Sequence, residues 1–187
     1  MNIVAAQVTV SLPKPWLAFL KEVDAALSEP VTLQCLGGFV LTALYGLPRY
    51  TGDLDYIQVI PREAADQVEK IGGRESALCK KHRLFLQGVG GIADLPAEYE
   101  SRLQQMKLEN MEKLKLSALD PYDLLLSKIS RNSPKDQEDA KYLIPKLKLE
   151  FEPFQNRWQQ EVIPWVATNH ERHDLSMQLW KDYFPKP

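Results

Sequence analysis

Residues 31–57, VTLQCLGGFVLTALYGLPRYTGDLDYI, constrain the fold more than any other stretch of the chain. A β-branched and apolar run, Val31 to Leu36, stops at Gly37–Gly38 and is followed by a helical run from Phe39 to Tyr45. Gly46 and Pro48 then close that helix, since a glycine just past the last helical residue with a proline beyond is a common helix stop. A second strand is expected from Asp53 to Ile60, opened by the D-x-D sequence Asp53–Leu54–Asp55 and ended by Pro61.

The order strand, Gly-Gly, helix, short loop, D-x-D strand carries chemistry. Side chains alternate along a strand, so Asp53 and Asp55 share one face and Leu54 enters the other. Two carboxylates so placed repel, and one is pushed toward protonation unless a cation compensates. Arg49 is the nearest basic residue in sequence. A divalent metal is the natural compensation: Mg²⁺ favours carboxylate and triphosphate oxygens, and Mn²⁺ is an alternative. Gly37 and Gly38 lack β-carbons, so backbone there admits a phosphate, and the N–H groups of the following helix attract it. Arg49 and Thr51, on the connecting loop, are further candidates for substrate contact.

The rest of the chain is expected to alternate and then become helical. An amphipathic helix is predicted over Trp16–Leu27, a polar-faced helix over Arg62–Ile71, and a strand over Arg83–Val89 with Ile92–Leu95 as its continuation. A short helix is read over Tyr99–Met106 and a weak strand over Lys113–Leu119. From Asp120 onward two helix starts are marked by a capping Asp or Ser before proline, Asp120–Pro121 and Ser133–Pro134. Helices over Phe151–Val166 and Arg172–Tyr183, parted near Thr168–Asn169, complete the chain. This pattern predicts an α+β fold: a small mixed β-sheet core with flanking helices over residues 1–118, and a C-terminal helical subdomain over 119–187 that completes the site.

Composition narrows the function. A net charge of −2 over 187 residues argues against a dedicated duplex-binding domain. Two cysteines in no paired spacing exclude a disulfide framework or a familiar zinc site, and Cys35 reads as a small core residue. With no basic leader and no long apolar run, a cytoplasmic protein without a membrane span is expected. His82, His170 and His173 form no ligand set and read as surface residues. Lys80–Lys81–His82–Arg83 reads as a solvated strand entrance, and Trp158, Trp165 and Trp180 as packing residues.

On Leu36–Gly37–Gly38 and Asp53–Leu54–Asp55 the chain resembles the minimal nucleotidyltransferases of the DNA polymerase β superfamily. Over about Val31 to Leu147 it resembles the AbiE-type toxin nucleotidyltransferase branch. There LDPYDLLLSKISRNSPKDQEDAKYL matches a proline-led helix with Lys128 and Arg131, followed by Lys135, Asp136 and Asp139. The resemblance implies a magnesium-dependent transferase that moves an NMP from an NTP to an acceptor hydroxyl. It further implies a toxin–antitoxin role, with the 3′ end of tRNA as acceptor and an antitoxin as protein partner. It gives catalytic roles to Asp53, Asp55, Lys128 and Asp136, and substrate contacts to Gly37, Gly38, Arg49, Thr51, Arg131 and Asp139. The third carboxylate is open among Asp94, Asp136 and Asp139. The residues support Lys128 on their own terms, because a lysine among Leu124, Leu125, Leu126 and Ile129 needs an anionic partner. For RNA, Arg49, Lys80, Lys81, Arg83, Arg131 and Lys135 are the candidate contacts. Two rival readings stand: a non-catalytic nucleotide- or partner-binding member of the fold, and a small-molecule nucleotidyltransferase of the antibiotic-modifying kind.

Overall fold

A computed structural model of the chain describes residues 7–10, 12–90, 94–165 and 170–186. They form two compact units. The first comprises Met1–Gly91 with Leu103–Leu119, and the second Ile92–Arg102 with Asp120–Pro187.

The first unit is built on a six-stranded mixed sheet ordered β1-β5-β6-β2-β3-β4. The strands are β1 (Gln7–Thr9), β2 (Val31–Leu36), β3 (Asp53–Ile60), β4 (Phe85–Gly88), β5 (Gln104–Lys107) and β6 (Leu114–Ala118). β2 lies inside the sheet, antiparallel to β3 and parallel to β6. That position buries both of its faces, and it reads as a nearly continuous apolar run for that reason. Four helices belong to the same unit: α1 (Lys14–Ala26), α2 (Gly37–Tyr45), α3 (Ala65–Gly72) and α4 (Ala77–His82). Trp16, Phe19, Leu20 and Val23 recur at helical spacing and put one face of α1 fully inside. Each such side chain contributes roughly 1.5–3 kcal/mol relative to exposure. Asp24 on that helix accepts N–H bonds from Glu112, Lys113 and Leu114, which fastens the start of β6 to α1.

The second unit is helical: α5 (Pro121–Ile129), α6 (Pro134–Leu147), α7 (Phe151–Arg157) and α8 (His170–Lys181). Both expected starts form as read. Asp120 accepts the Asp123 N–H at 2.9 Å, and Ser133 and Asp136 make a reciprocal capping box. The α+β class and the helical C-terminal run agree with the sequence. No helix among the described residues is long and apolar enough to cross a membrane.

Several local expectations are corrected. The helix read over Tyr99–Met106 is a 3-10 turn, Tyr99–Arg102, followed by strand β5. β5 finds hydrogen-bonding partners on both sides, β1 and β6, and tertiary pairing overrides local preference. The basic cluster is no strand entrance: Lys80, Lys81 and His82 form the last turn of α4 (Ala77–His82), and Arg83 is its left-handed cap at φ 59°. The cap at Ser76, which accepts the Cys79 N–H, starts that helix. β4 ends at Gly88 and does not continue through Asp94 and Leu95; Ile92 and Ala93 lie outside the described residues.

The helix expected from Phe151 changes its hydrogen-bond spacing after Arg157, through a π turn, Trp158–Val162, and a 3-10 turn, Ile163–Trp165. Pro164 lacks the N–H that an α-helix would need there. Val166 and the Thr168–Asn169 break lie outside the described residues. The histidines are not simply superficial. His173 is buried and stacks on Trp158 at 5.1 Å, while His82 sits 2.9 Å from Glu22. The side chain of His170 lies outside the described residues. Trp158 and Trp180 pack inside as expected, whereas Trp165 is 75% exposed.

Candidate functional site

In the first unit the Gly-Gly turn and the D-x-D strand meet. Leu36 pairs with Asp55 across the β2–β3 ladder, which brings the Asp55 side chain to the turn where β2 gives way to α2. Gly37 opens that helix at φ 79°, a region open to glycine and costly for other residues. A β-carbon on Gly37 would collide with Asp55 Oδ2, so the carboxylate lies directly against the glycine backbone. Leu36 offers no capping side chain to the first turn of α2. Those N–H groups therefore retain the anion-attracting character of a helix start.

Asp53 and Asp55 are half-buried on one face of β3 while Leu54 and Tyr56 are buried on the other. The alternation read from sequence thus holds side chain by side chain. Cys35, fully enclosed behind the turn, has its thiol pKa pushed well up by burial and then by the charge of Asp55.

The connecting loop is fixed at almost every residue. Thr42 Oγ1 donates to the Arg49 carbonyl at 3.2 Å, and Trp16 Nε1 to the Thr51 carbonyl at 3.3 Å. The Phe85 N–H donates to the Gly52 carbonyl at 3.1 Å. Thr51 itself is buried, and its hydroxyl donates to Asp53 Oδ1 at 2.8 Å. A β-carbon on Gly38 would stand 3.4 Å from Thr51 Oγ1 and 3.7 Å from Arg49 Nη2. Gly37, Gly38, Arg49, Thr51, Asp53 and Asp55 are therefore one constellation.

Two neighbours on this face were missed in the sequence. In the parallel β3–β4 ladder Asp53 faces Phe85 and Asp55 faces Gln87. Directly opposed residues point to the same side of a sheet, so Phe85 and Gln87 flank the carboxylates. Over them lies Arg74, its guanidinium 4.4 Å from the Phe85 ring centroid and its Nη2 3.5 Å from Gln87 Oε1. No sequence signal pairs residues 53 and 85; only the sheet register does. Among the described residues no group of three or more His, Cys, Asp or Glu side chains converges as a metal set. β4 thus offers Gln87, an amide, where a third strand carboxylate was sought. Asp94 lies beyond β4, half-buried in an irregular stretch of the second unit.

The other candidates gather in the second unit. Lys128, 4% exposed, lies 3.1 Å from Asp139 Oδ2 and 3.6 Å from Asp136 Oδ1. The anionic partner that a core lysine requires is thus present in the neighbouring helix. Arg131 donates to both oxygens of Asp136, with Nε to Oδ2 at 2.7 Å. Burial pushes the Asp136 carboxyl up, but the bonds from Arg131 and Ser133 and the charge of Lys128 outweigh it and hold its pKa at about 2. A second, half-buried network joins Arg102 and Arg157 to Asp120, Asp123 and Glu161, with Asp123 buried at its centre. It holds the Tyr99–Arg102 turn against the start of α5 and was not anticipated from sequence.

The fit to a divalent cation rests on the first unit. Two same-face carboxylates, a glycine backbone in contact with one of them and an uncapped helix start are groups of the chemical type that could hold a hard cation with a phosphate chain. A comparison with curated proteins and one with solved structures gave no match. Residues 18–186, almost the whole chain, match one family model, and the chain belongs to that family, DUF6036, described as a nucleotidyltransferase of unknown function.

Proposed function

We propose that this chain transfers a nucleoside monophosphate from an NTP to an acceptor hydroxyl, and that Asp53 and Asp55 hold the Mg²⁺ the reaction requires, with Mn²⁺ as a substitute. The contact of Asp55 with the Gly37 backbone carries the reading, because it sets a carboxylate beside a glycine turn at a helix start, the two groups such a reaction calls for. Gly38 and the first N–H groups of α2 receive the phosphates, and Arg49 at the same turn balances their charge. Thr51 orients Asp53 through its hydroxyl. When bound, the cation supplies Lewis-acid polarisation of phosphoryl oxygens. The acceptor oxygen forms the new bond to the α-phosphorus, the bond from that phosphorus to the β-phosphate bridging oxygen breaks, and pyrophosphate leaves while the hydroxyl proton passes to solvent. Such chemistry needs positioning and charge more than reactive side chains.

Lys128, Arg131, Asp136 and Asp139 are assigned to the same chemistry by the resemblance alone; within the second unit Lys128 pairs with Asp136 and Asp139, and Arg131 with Asp136. The acceptor is RNA, the 3′ end of tRNA, and the biological setting is an AbiE-type toxin restrained by an antitoxin. A second reading, a nucleotide-binding member without turnover, is favoured by Gln87, the amide that faces Asp55 on β4.

One experiment addresses both. Mg²⁺ with NTP raises the melting temperature of the wild-type protein by binding linkage, and Asp53→Asn with Asp55→Asn abolishes the gain while the apo protein keeps its stability. Unfolding of the double variant would make the pair structural and remove the site. Labelled NTP offered with total RNA, protein and small-molecule acceptors then identifies the acceptor. Label on RNA supports the toxin reading, and nucleotide binding without label on any acceptor supports the second.

A further inference from the structure

The arrangement on β4 has no part in the chemistry above. Arg74 is exposed, in the turn between α3 and α4, yet its guanidinium has a defined seat. One face rests on Phe85 at 4.4 Å and Nη2 is held by the Gln87 amide at 3.5 Å. Both seat residues oppose the catalytic carboxylates in the ladder, Phe85 opposite Asp53 and Gln87 opposite Asp55. Adjacent strands lie ~4.8 Å apart, so the seat residues Phe85 and Gln87 stand one strand from the carboxylate pair on the same face of the sheet. Among the described residues its partners are a ring and a neutral amide, neither of which neutralises it. Arginine carries several donors in a planar fork, and the hydrogen bond to Gln87 engages one of its nitrogens.

We infer that Arg74 is an anion-binding residue on the β4 side of the carboxylate pair, taking a phosphate of the substrate. This rests on the nucleotidyl-transfer reading. Two carboxylates repel an approaching phosphate chain, and a guanidinium seated on the neighbouring strand offsets that repulsion. Gln87 is the side chain that permits it: a carboxylate there would pair with Arg74 and cancel its charge, whereas an amide positions the guanidinium and leaves it cationic. The phosphate has two sources, the triphosphate of the NTP or a phosphodiester next to the acceptor hydroxyl.

The test is equilibrium binding of two probes in EDTA, inorganic tripolyphosphate and a single-stranded RNA hexamer, to the full chain and to Arg74→Gln, Arg74→Lys and Gln87→Glu. Arg74→Gln is expected to weaken one probe about tenfold, the scale of one charge-assisted contact, with Arg74→Lys intermediate. Gln87→Glu weakens the same probe while Arg74 is still present. Loss of tripolyphosphate assigns the subsite to the NTP. Loss of the hexamer, with a salt slope shallower by about one, assigns it to the acceptor strand. Wild-type affinity of Arg74→Gln for both probes, in protein with an unchanged melting temperature, overturns the inference. If Arg74 governs a probe while Mg²⁺ fails to tighten NTP binding, the metal assignment falls and the anion subsite stands. If Mg²⁺-NTP binds as proposed and Arg74→Gln binds both probes normally, the reverse holds.

Discussion

Thr51 and Asp136 show how a single side chain fixes a charge. The Thr51 hydroxyl lies 2.8 Å from Asp53 Oδ1 and 3.1 Å from the Asp53 carbonyl oxygen, so one side chain ties down both the backbone and one carboxylate oxygen of Asp53. Asp136 is held from several sides, by Arg131, Ser133 and Lys128. Its native pKa of about 2 lies below the unfolded value. A depressed carboxylate pKa adds stability that is complete above about pH 4 and is lost as pH falls through the native value, here on the order of 2 kcal/mol. Asp136→Asn is therefore expected to lower the melting temperature at pH 7 and to flatten its decline between pH 4 and 2. Equal acid slopes for variant and wild type would show that other carboxylates govern that limb. Asp53 and Asp55 were legible at this scale because strand alternation alone sets them on one face. Gln87 was not, because its place beside the pair is set by a ladder between distant segments, and Arg74 was not, because it reaches that ladder from a separate turn.

The helix α2 and the strand β3 meet at one glycine, and the two members of the Gly-Gly pair are not equivalent. Gly37 has φ 79° and an Asp55 oxygen where its β-carbon would stand, whereas a β-carbon at Gly38 meets nothing nearer than 3.4 Å. Gly37→Ala is expected to destabilise the fold by at least about 1–2 kcal/mol from backbone handedness alone, with the steric clash added. Gly38→Ala keeps the fold within about 1 kcal/mol of wild type and weakens NTP binding, since the methyl occupies space meant for phosphate. Urea titrations of the two variants separate these effects, and equal losses would refute the distinction. Elements with strong local signals were read nearly to the residue, β2 and β3 from runs ended by Gly or Pro, and the starts of α5 and α6 from their caps. β1, α4 and β5 were missed or misread. Gln104–Lys107 has no strand pattern of its own, and it becomes a strand because β1 and β6 supply its hydrogen bonds.

Across the whole molecule the chain visits the two units in alternation, and the sheet depends on a late segment. Leu103–Leu119 returns to the first unit after Ile92–Arg102 has joined the second. β2 pairs with β6 from Val31↔Leu114 to Cys35↔Ala118, so an interior strand lacks one neighbour until that segment is in place. A fragment of residues 1–90 is therefore expected to show no cooperative unfolding transition by circular dichroism, although it contains all six residues of the Gly-Gly and D-x-D constellation. A fragment of residues 1–119 is expected to show one. A cooperative transition in the shorter fragment would mean that β5 and β6 are dispensable. The same order of pairing matters while the protein is being made. At synthesis rates of ~5–20 residues per second, Val31–Leu36 waits roughly 4–16 s for the residues that will lie beside it. Through that interval an apolar strand emerging from the ribosome has a bare edge, open to chaperones and to the same segment of a neighbouring nascent chain.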